Sequence, residues 1–211
     1  MISRAFVTTL LAVGIITALL YCSCSTGVSG VETTNGFTVV ATARSIEGTA
    51  PPFAQVFLFD TGYIPFVDTG FGFGTSVDLD SSYRFPALPG VYNLLVITAD
   101  GSAAGLQRQT VAAEERTASP QTFTLEKSGA VSGAIDPVAE SRYLVYLPGT
   151  GYYTVITGTS EFSFSPLPAG NHSLRVRRID DSGRASGEII TAVPFEVFAG
   201  ESSDIGVIPV E

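Results

Sequence analysis

Tryptophan is absent from the chain, histidine and lysine occur once each (His172 and Lys127), methionine occurs only at position 1, and the two cysteines are Cys22 and Cys24. Each scarcity excludes something. A peptidase-type catalytic zinc takes two histidines and a glutamate, which one histidine cannot supply. A serine nucleophile needs a neighbouring base, and the single imidazole sits in an apolar strand pattern rather than beside a nucleophile motif. Without indole rings, the usual flat stacking surface for a sugar is missing. Charge is also sparse and one-sided, with 11 basic against 20 acidic residues and a formal net charge of -9. Such a surface repels phosphate backbones, so nucleic acid is excluded as a partner. No convincing amphipathic helix follows residue 25.

What remains is β-forming material. Hydrophobic residues make up 45% of the chain, enough to bury a core, and 22 glycines and 12 prolines punctuate runs rich in Val, Thr, Phe and Tyr. The front end is different. "MISRAFVTTLLAVGIITALLYCSCSTG" has one positive charge at Arg4, an apolar stretch from Ala5 to Leu20, and small residues around the cysteines. That is the layout of a secretory signal. A permanent membrane helix is the rival reading; the apolar stretch is slightly short for a bilayer, and no basic cluster follows it.

The cysteine region resembles the lipobox of bacterial lipoproteins, in which a small residue precedes the cysteine that receives diacylglycerol. Ser23 before Cys24 suits that role, whereas Tyr21 before Cys22 is bulky; Tyr21 also stands where the family prefers Leu. The resemblance implies lipidation at Cys24, with Cys22 and no lipidation at all as alternatives. A Cys22–Cys24 disulfide would be strained and would staple nothing. Processing at Cys24 removes Arg4, which takes the formal charge from -9 to -10, and leaves no free cysteine nucleophile. The absence of Asp after the cysteine implies an exported, outer-membrane lipoprotein. Residues 1–23 are then the signal peptide, and 24–36 the lipidated cysteine with a flexible Gly/Ser-rich tether that reaches roughly 20 Å.

One pattern is written twice. "YRFPALPGVYNLLV" (Tyr83 to Val96) returns as "FSFSPLPAGNHSLRV" (Phe162 to Val176), and "DTGYIPFVDTG" (Asp60 to Gly70) parallels "GTGYYTVITG" (Gly149 to Gly158). Two anchors in the same order mark a duplication. Alternating aromatics bury one side of a strand, Leu-Pro ends it, Gly90 is expected to take a positive φ, and Tyr92, Leu94 and Val96 resume the alternation. Other strands are read at "FTVVATA", "FAQVFLF" and "QTFTLE" in the first copy, and at "GAVSGAI", "RYLVYL", "EIITAVPFEVF" and "SDIGVIPV" in the second. The predicted fold is all-β: two tandem antiparallel β-sandwich domains of prealbumin or immunoglobulin type, residues 37–127 and 128–211, after an N-terminal signal helix.

The motif Y-x-F-x-x-L-P-x-G-x-Y-x-L-x-V resembles the carboxypeptidase regulatory-like domains, which are transthyretin-like β-sandwiches related to the Cna B-type surface repeats. The second copy is looser, with one extra residue at "LPAG" and His172 in place of Tyr92. The resemblance implies a non-catalytic accessory that spaces, stabilises or binds. The Lys-Asn isopeptide bond of Cna B-type repeats is not expected, because Lys127 is the sole lysine and ends the first copy.

Several side chains stand out as candidates. "TGFGFGTSV" (Thr69 to Val77) is an insertion in which Phe71 and Phe73 alternate with glycine, read either as edge-strand packing or as an aromatic platform. Tyr63, Tyr152 and Tyr153 are further candidates for such a face. "DLDSS" and "IDDSG" read as capped turns rather than half a calcium loop. In "RVRR", Arg175 and Arg177 share one strand face, a solvated surface or an anion site. No catalytic residue, metal site or cofactor is predicted. The leading functional expectation is an envelope lipoprotein acting as a structural or protein-interaction module, with a membrane anchor and an unknown envelope protein or glycan as partner. The alternative is a carbohydrate-binding accessory using the aromatics of the first domain.

Overall fold

The structure, a computed structural model, describes residues 31–34, 37–40, 44–68, 72–113, 117–118, 124–136, 141–157, 161–180, 182–185 and 188–210. Cys22, Cys24, the signal segment and Phe71 lie outside the described residues. Among the described residues no helix is long and apolar enough to cross a membrane.

The first two strands are β1 (Val31–Thr34) and β2 (Phe37–Val40), paired antiparallel from Val31 with Val40 to Thr34 with Phe37. They belong to a unit that ends at Ala43, separate from the compact unit of residues 44–211. The sequence reading puts "FTVVATA" in the first sandwich and the residues before it in a tether. Val31–Thr34 and Phe37–Val40 instead pair with each other, and no strand of the first sandwich joins them.

The first sandwich opens one strand later. Its strands are β3 (Arg44–Thr49), β4 (Gln55–Asp60), β5 (Gly72–Ser76), β6 (Ser82–Ala87), β7 (Gly90–Ile97), β8 (Ala103–Val111) and β9 (Thr117–Ala118), followed by a short linking strand β10 (Glu126–Lys127). The second copy contains β11 (Gly129–Asp136), β12 (Arg142–Tyr146), β13 (Tyr153–Ile156), β14 (Glu161–Leu167), β15 (Gly170–Ile179), β16 (Thr191–Val197) and β17 (Ser202–Pro209). The smaller sheets run β6-β3-β9 and β14-β11-β17; the larger run β10-β8-β7-β4-β5 and β13-β12-β15-β16. Apart from β10, the order is the same in both copies. Pairing is antiparallel except where β9 joins β3 and β17 joins β11, both in parallel.

The repeated motif explains why the orders agree. Along β6 exposure alternates, with Tyr83, Phe85 and Ala87 inward and Ser82, Arg84 and Pro86 outward. In β14, Phe162 and Phe164 turn inward in the same way. Across the smaller sheet Phe85 faces Ile46 and Tyr83 faces Gly48; in the second copy Phe164 faces Val131 and Phe162 faces Gly133. A β-carbon on Gly133 would stand 2.8 Å from the Phe162 ring, and one on Gly48 would collide with the Tyr83 hydroxyl. Each glycine therefore makes room for the aromatic of the next strand. Each copy closes over its own core: Ile46, Val56, Leu58, Phe85, Leu94 and Val96 in the first, and Val131, Tyr143, Val145, Phe164, Leu174 and Val176 in the second. At roughly 1.5–3 kcal/mol per fully buried large apolar side chain, these clusters supply the main driving force.

At the motif turn the two copies part. Gly170 has φ 125°, whereas Gly90 is not in the left-handed region and starts β7 opposite Val111. A β-carbon at Gly90 would make ordinary van der Waals contact with the Tyr92 ring, at 3.4 Å.

Candidate functional site

The loops that follow the equivalent strands β4 and β12 meet each other. In the first, Asp60 closes a turn by accepting the Gly62 amide at 2.7 Å, and Asp68 accepts the Ile64 amide at 2.7 Å while its own amide donates to the Ile64 carbonyl at 3.0 Å. The bend so formed holds Phe66 at φ 71°, a left-handed backbone that an aromatic residue seldom adopts. In the second, Thr150 donates to the Leu147 carbonyl at 2.7 Å and accepts the Tyr152 amide at 3.2 Å. Gly149, at φ 68°, then donates its amide to the Tyr63 carbonyl at 2.7 Å and accepts from the Asn93 side chain at 2.9 Å. A β-carbon on Gly149 would strike the Asn93 amide nitrogen and stand 3.0 Å from the Thr61 carbonyl, so the seam admits only glycine there.

Aromatic and aliphatic contacts extend the seam. Phe59, buried on the outer face of β4, stacks 6.1 Å from Phe57 and meets Tyr63 at 5.2 Å. A β-carbon on Gly151 would lie 3.1 Å from the same Phe59 ring. Ile64 packs on Leu144, Tyr146 and Ile179 of the second copy. Phe66 reaches Tyr153 at 6.1 Å and 42°. Phe66 is 42% exposed, Val67 38% and Tyr153 47%, so the pair leaves an apolar ledge open to solvent across the junction of the two copies.

The sequence candidates separate accordingly. Tyr63 and Tyr153 come together here, and the Tyr63 hydroxyl has a raised pKa, first from burial and then from Asp68 and Tyr153. Tyr152 precedes Tyr153, so strand alternation turns it the other way: it packs on the second core, its hydroxyl donates to the Pro166 carbonyl, and burial pushes its pKa up. Phe73, 42% exposed, lies on the edge strand β5 opposite Leu58, on the side of the sheet that Leu58 occupies, while Tyr63 packs on Phe59 at the other face. Those two rings therefore do not share a surface. Phe57 and Phe59 instead cover Gly74 and Gly72 of β5, whose β-carbons would approach the rings to 2.9 and 2.8 Å. Gly72 and Gly74 of the insertion are thus explained by the aromatics of the neighbouring strand. Phe66 was not among the candidates; its one sequence signal is its place after Pro65 in an otherwise turn-forming loop.

The acidic turns are local. Asp80 accepts from the Ser82 amide and hydroxyl, Asp100 from Ser102 and Thr98, and Asp180 from Ser182 and the Arg184 amide. These bonds lower all three carboxyl pKa values, that of Asp100 to about 2. Among the described residues no group of three or more His, Cys, Asp or Glu is placed to hold a metal ion.

No family model matches the chain, and no curated protein does. Among solved structures, the chain is similar to the Bacillus anthracis TIE protein (TM-score 0.30, 12% identity over 81% of this chain) and to a streptococcal ancillary pilin (TM-score 0.32, 12% identity over 82%). It is also similar to a candidate cell-adhesion protein of Bacteroides fragilis (TM-score 0.20, 11% identity over 90% of this chain and 88% of that one). The chain spans 34% of the length of the first and 64% of the second. The assignment to all-β sandwiches rests on the sheet order and the paired cores described above.

Proposed function

We propose that this chain is a non-catalytic envelope lipoprotein, held to the membrane through acyl chains on Cys24, that works as a protein-interaction module. In this reading the two sandwiches, residues 44–127 and 128–211, are the domains that the likeness to carboxypeptidase regulatory-like domains implies, and the outer membrane is the site of attachment. Two or more acyl chains, at about 0.8 kcal/mol per buried methylene, make such attachment effectively permanent.

The observation that supports the interaction role is the ledge of Phe66, Val67 and Tyr153. Holding an aromatic at a left-handed φ costs on the order of 1–3 kcal/mol, and such strain tends to persist where a surface has a task. Here the strained residue is one that keeps an apolar ring in water. Exposed aromatics at a junction braced from both sides suit a preformed docking surface.

Two experiments test the reading. A photo-reactive phenylalanine analogue at position 66 or 153 of the membrane-bound protein is expected to give discrete crosslinked products, and the same analogue at exposed Leu79 is not; equal labelling at all three positions would contradict it. Intact mass of the mature chain tests the anchor by itself, the expected species starting at a diacylated Cys24.

A further inference from the structure

An open strand edge invites a further strand unless the chain guards it with a charge, a proline, a bulge or mere shortness. Within residues 44–211 most outermost strands are guarded in this way. β6 carries Arg84 and Pro86, β14 Glu161 and Pro166, β16 Pro194 and Glu196, and β17 Asp204 and Pro209, while β9 and β10 are two residues long. The equivalent strands β5 and β13 have neither charge nor proline.

Of these two, β5 is the more open. The Val77 amide donates to the Ala54 carbonyl at 2.9 Å, which fixes the phase of the ladder that follows between β5 and β4. Bonded and non-bonded pairs alternate along an antiparallel ladder, so Thr75 and Phe73 turn their backbone groups toward β4, and Gly72, Gly74 and Ser76 turn theirs outward. All three are exposed, and two of them have no side chain to screen the backbone. On β13 the Leu147 amide donates to the Tyr152 carbonyl at 3.0 Å, so the outward groups belong to Tyr153 and Val155, each beside its own bulky side chain. Among the described residues no strand pairs with the outer edge of β5.

The surroundings of this edge define what fits it. Along its middle, Phe73 is exposed on one face, and on the other the Phe57 and Phe59 rings cover Gly74 and Gly72. Both ends are acidic. Asp60 follows Phe59, the partner of Gly72, and Asp78 and Asp80 come directly after β5. At that second end lies a groove of about 580 Å³ lined by Ser76, Asp78 and Asp80 with Glu47 and Arg84 of the smaller sheet, and Arg84 is already paired with Glu47 at 2.9 Å. A second copy of the chain, laid antiparallel through the same edge, would set its acidic ends against these. A strand with basic ends is attracted instead.

We propose that β5 accepts an extended segment of another protein as an added strand, uncharged and apolar along its middle and carrying Lys or Arg at its ends. The outward backbone groups of Gly72, Gly74 and Ser76 supply the hydrogen bonds, and the flanking aromatics and carboxylates select the segment. This edge does not rest on the Phe66 ledge and can bind whether or not the ledge does.

The test follows exchange of amide protons with water in the 15N-labelled full-length protein as a synthetic peptide is added, alternating valine and threonine with lysine at both ends. The amides of Gly72, Gly74 and Ser76 are expected to exchange freely in the protein alone and to slow by about tenfold or more at saturation, while those of Phe73 and Thr75, bonded to β4, stay as they are. The same peptide with glutamate at both ends is expected to bind at least about tenfold more weakly. Ser76→Pro removes one outward N–H without breaking the ladder to β4, and Ser76→Lys guards the edge with a charge and no backbone change; each is expected to abolish the slowing at Gly72 and Gly74. Three results would each overturn the proposal: no slowing with the lysine-ended peptide, equal slowing in Ser76→Lys, or slowing that needs no peptide and rises with the concentration of the protein itself, as pairing of two copies would give.

Discussion

Tyr92 donates its hydroxyl to the Leu88 carbonyl at 2.9 Å, and four residues is also the span from His172 Nε2 to the Pro168 carbonyl, at 2.8 Å. The looser second copy therefore keeps the same turn clasp with a different side chain. The substitution adds a titration, because His172 lies stacked on Phe195 at 5.6 Å and its burial lowers its pKa below the usual 6.5. With the folded pKa depressed, the unfolded chain binds the proton more readily. Stability from this residue is complete above about pH 6.5 and falls as pH drops toward the folded pKa. His172→Tyr is expected to keep the clasp and to flatten the unfolding midpoint between pH 7.5 and 5; an unchanged slope would show that the histidine is not its source. The turn carboxylates act in a separate, more acidic window, since stability tied to a lowered carboxyl pKa is present above about pH 3.8 and is lost as pH falls through the folded value. At the seam, Gly149→Ala meets a left-handed backbone, which alone costs about 1–2 kcal/mol, and also displaces Asn93. Urea unfolding is expected to show at least that loss, and no loss would mean that the two loops do not touch.

At the scale of strands, alternation of large apolar residues was legible and its absence was misleading. β6, β7, β14 and β16 carry such patterns, β4 and β12 are continuous apolar runs, and each falls where the sequence places it. β3 and β8 do not: "RSIEGT" and "AAGLQRQTV" offer mostly small or polar side chains. β8 nevertheless runs between β10 and β7, with Gln109 only 4% exposed opposite Tyr92. A buried glutamine reads as surface, so periodicity alone cannot find this strand. Hydrogen exchange should find it. Alternate amides between Leu106 and Thr110, those directed at β7, are expected to be protected, and rapid exchange throughout that stretch would remove β8 from the sheet. The hairpin of β1 and β2 illustrates the converse case, where the Asn-Gly signal was present and the composition around it suggested a tether.

The whole molecule shows what a duplication offers beyond two separate sandwiches. Equivalent loops of the two copies, which the sequence pairs by likeness, turn out to pair in space through Gly149 and Tyr63. Likeness predicts that two segments adopt related conformations; it says nothing of whether they touch, and so the seam could not be read. The same limit applies to the candidate site. Tyr63 and Tyr153 were found as aromatic residues and Phe66 was not, because its role follows from a backbone bend set by Asp60 and Asp68. A second tie near the linker, from the Ser128 amide to the Ser102 carbonyl at 3.0 Å, joins the copies away from the first.

Ties at two places should make residues 44–211 one rigid body. Residual dipolar couplings measured in a single alignment medium test this most directly. Amides of the first copy and of the second are expected to fit one common alignment tensor. Two tensors of clearly different magnitude or orientation would show sandwiches that move independently, and the seam with its ledge would not exist as a preformed surface.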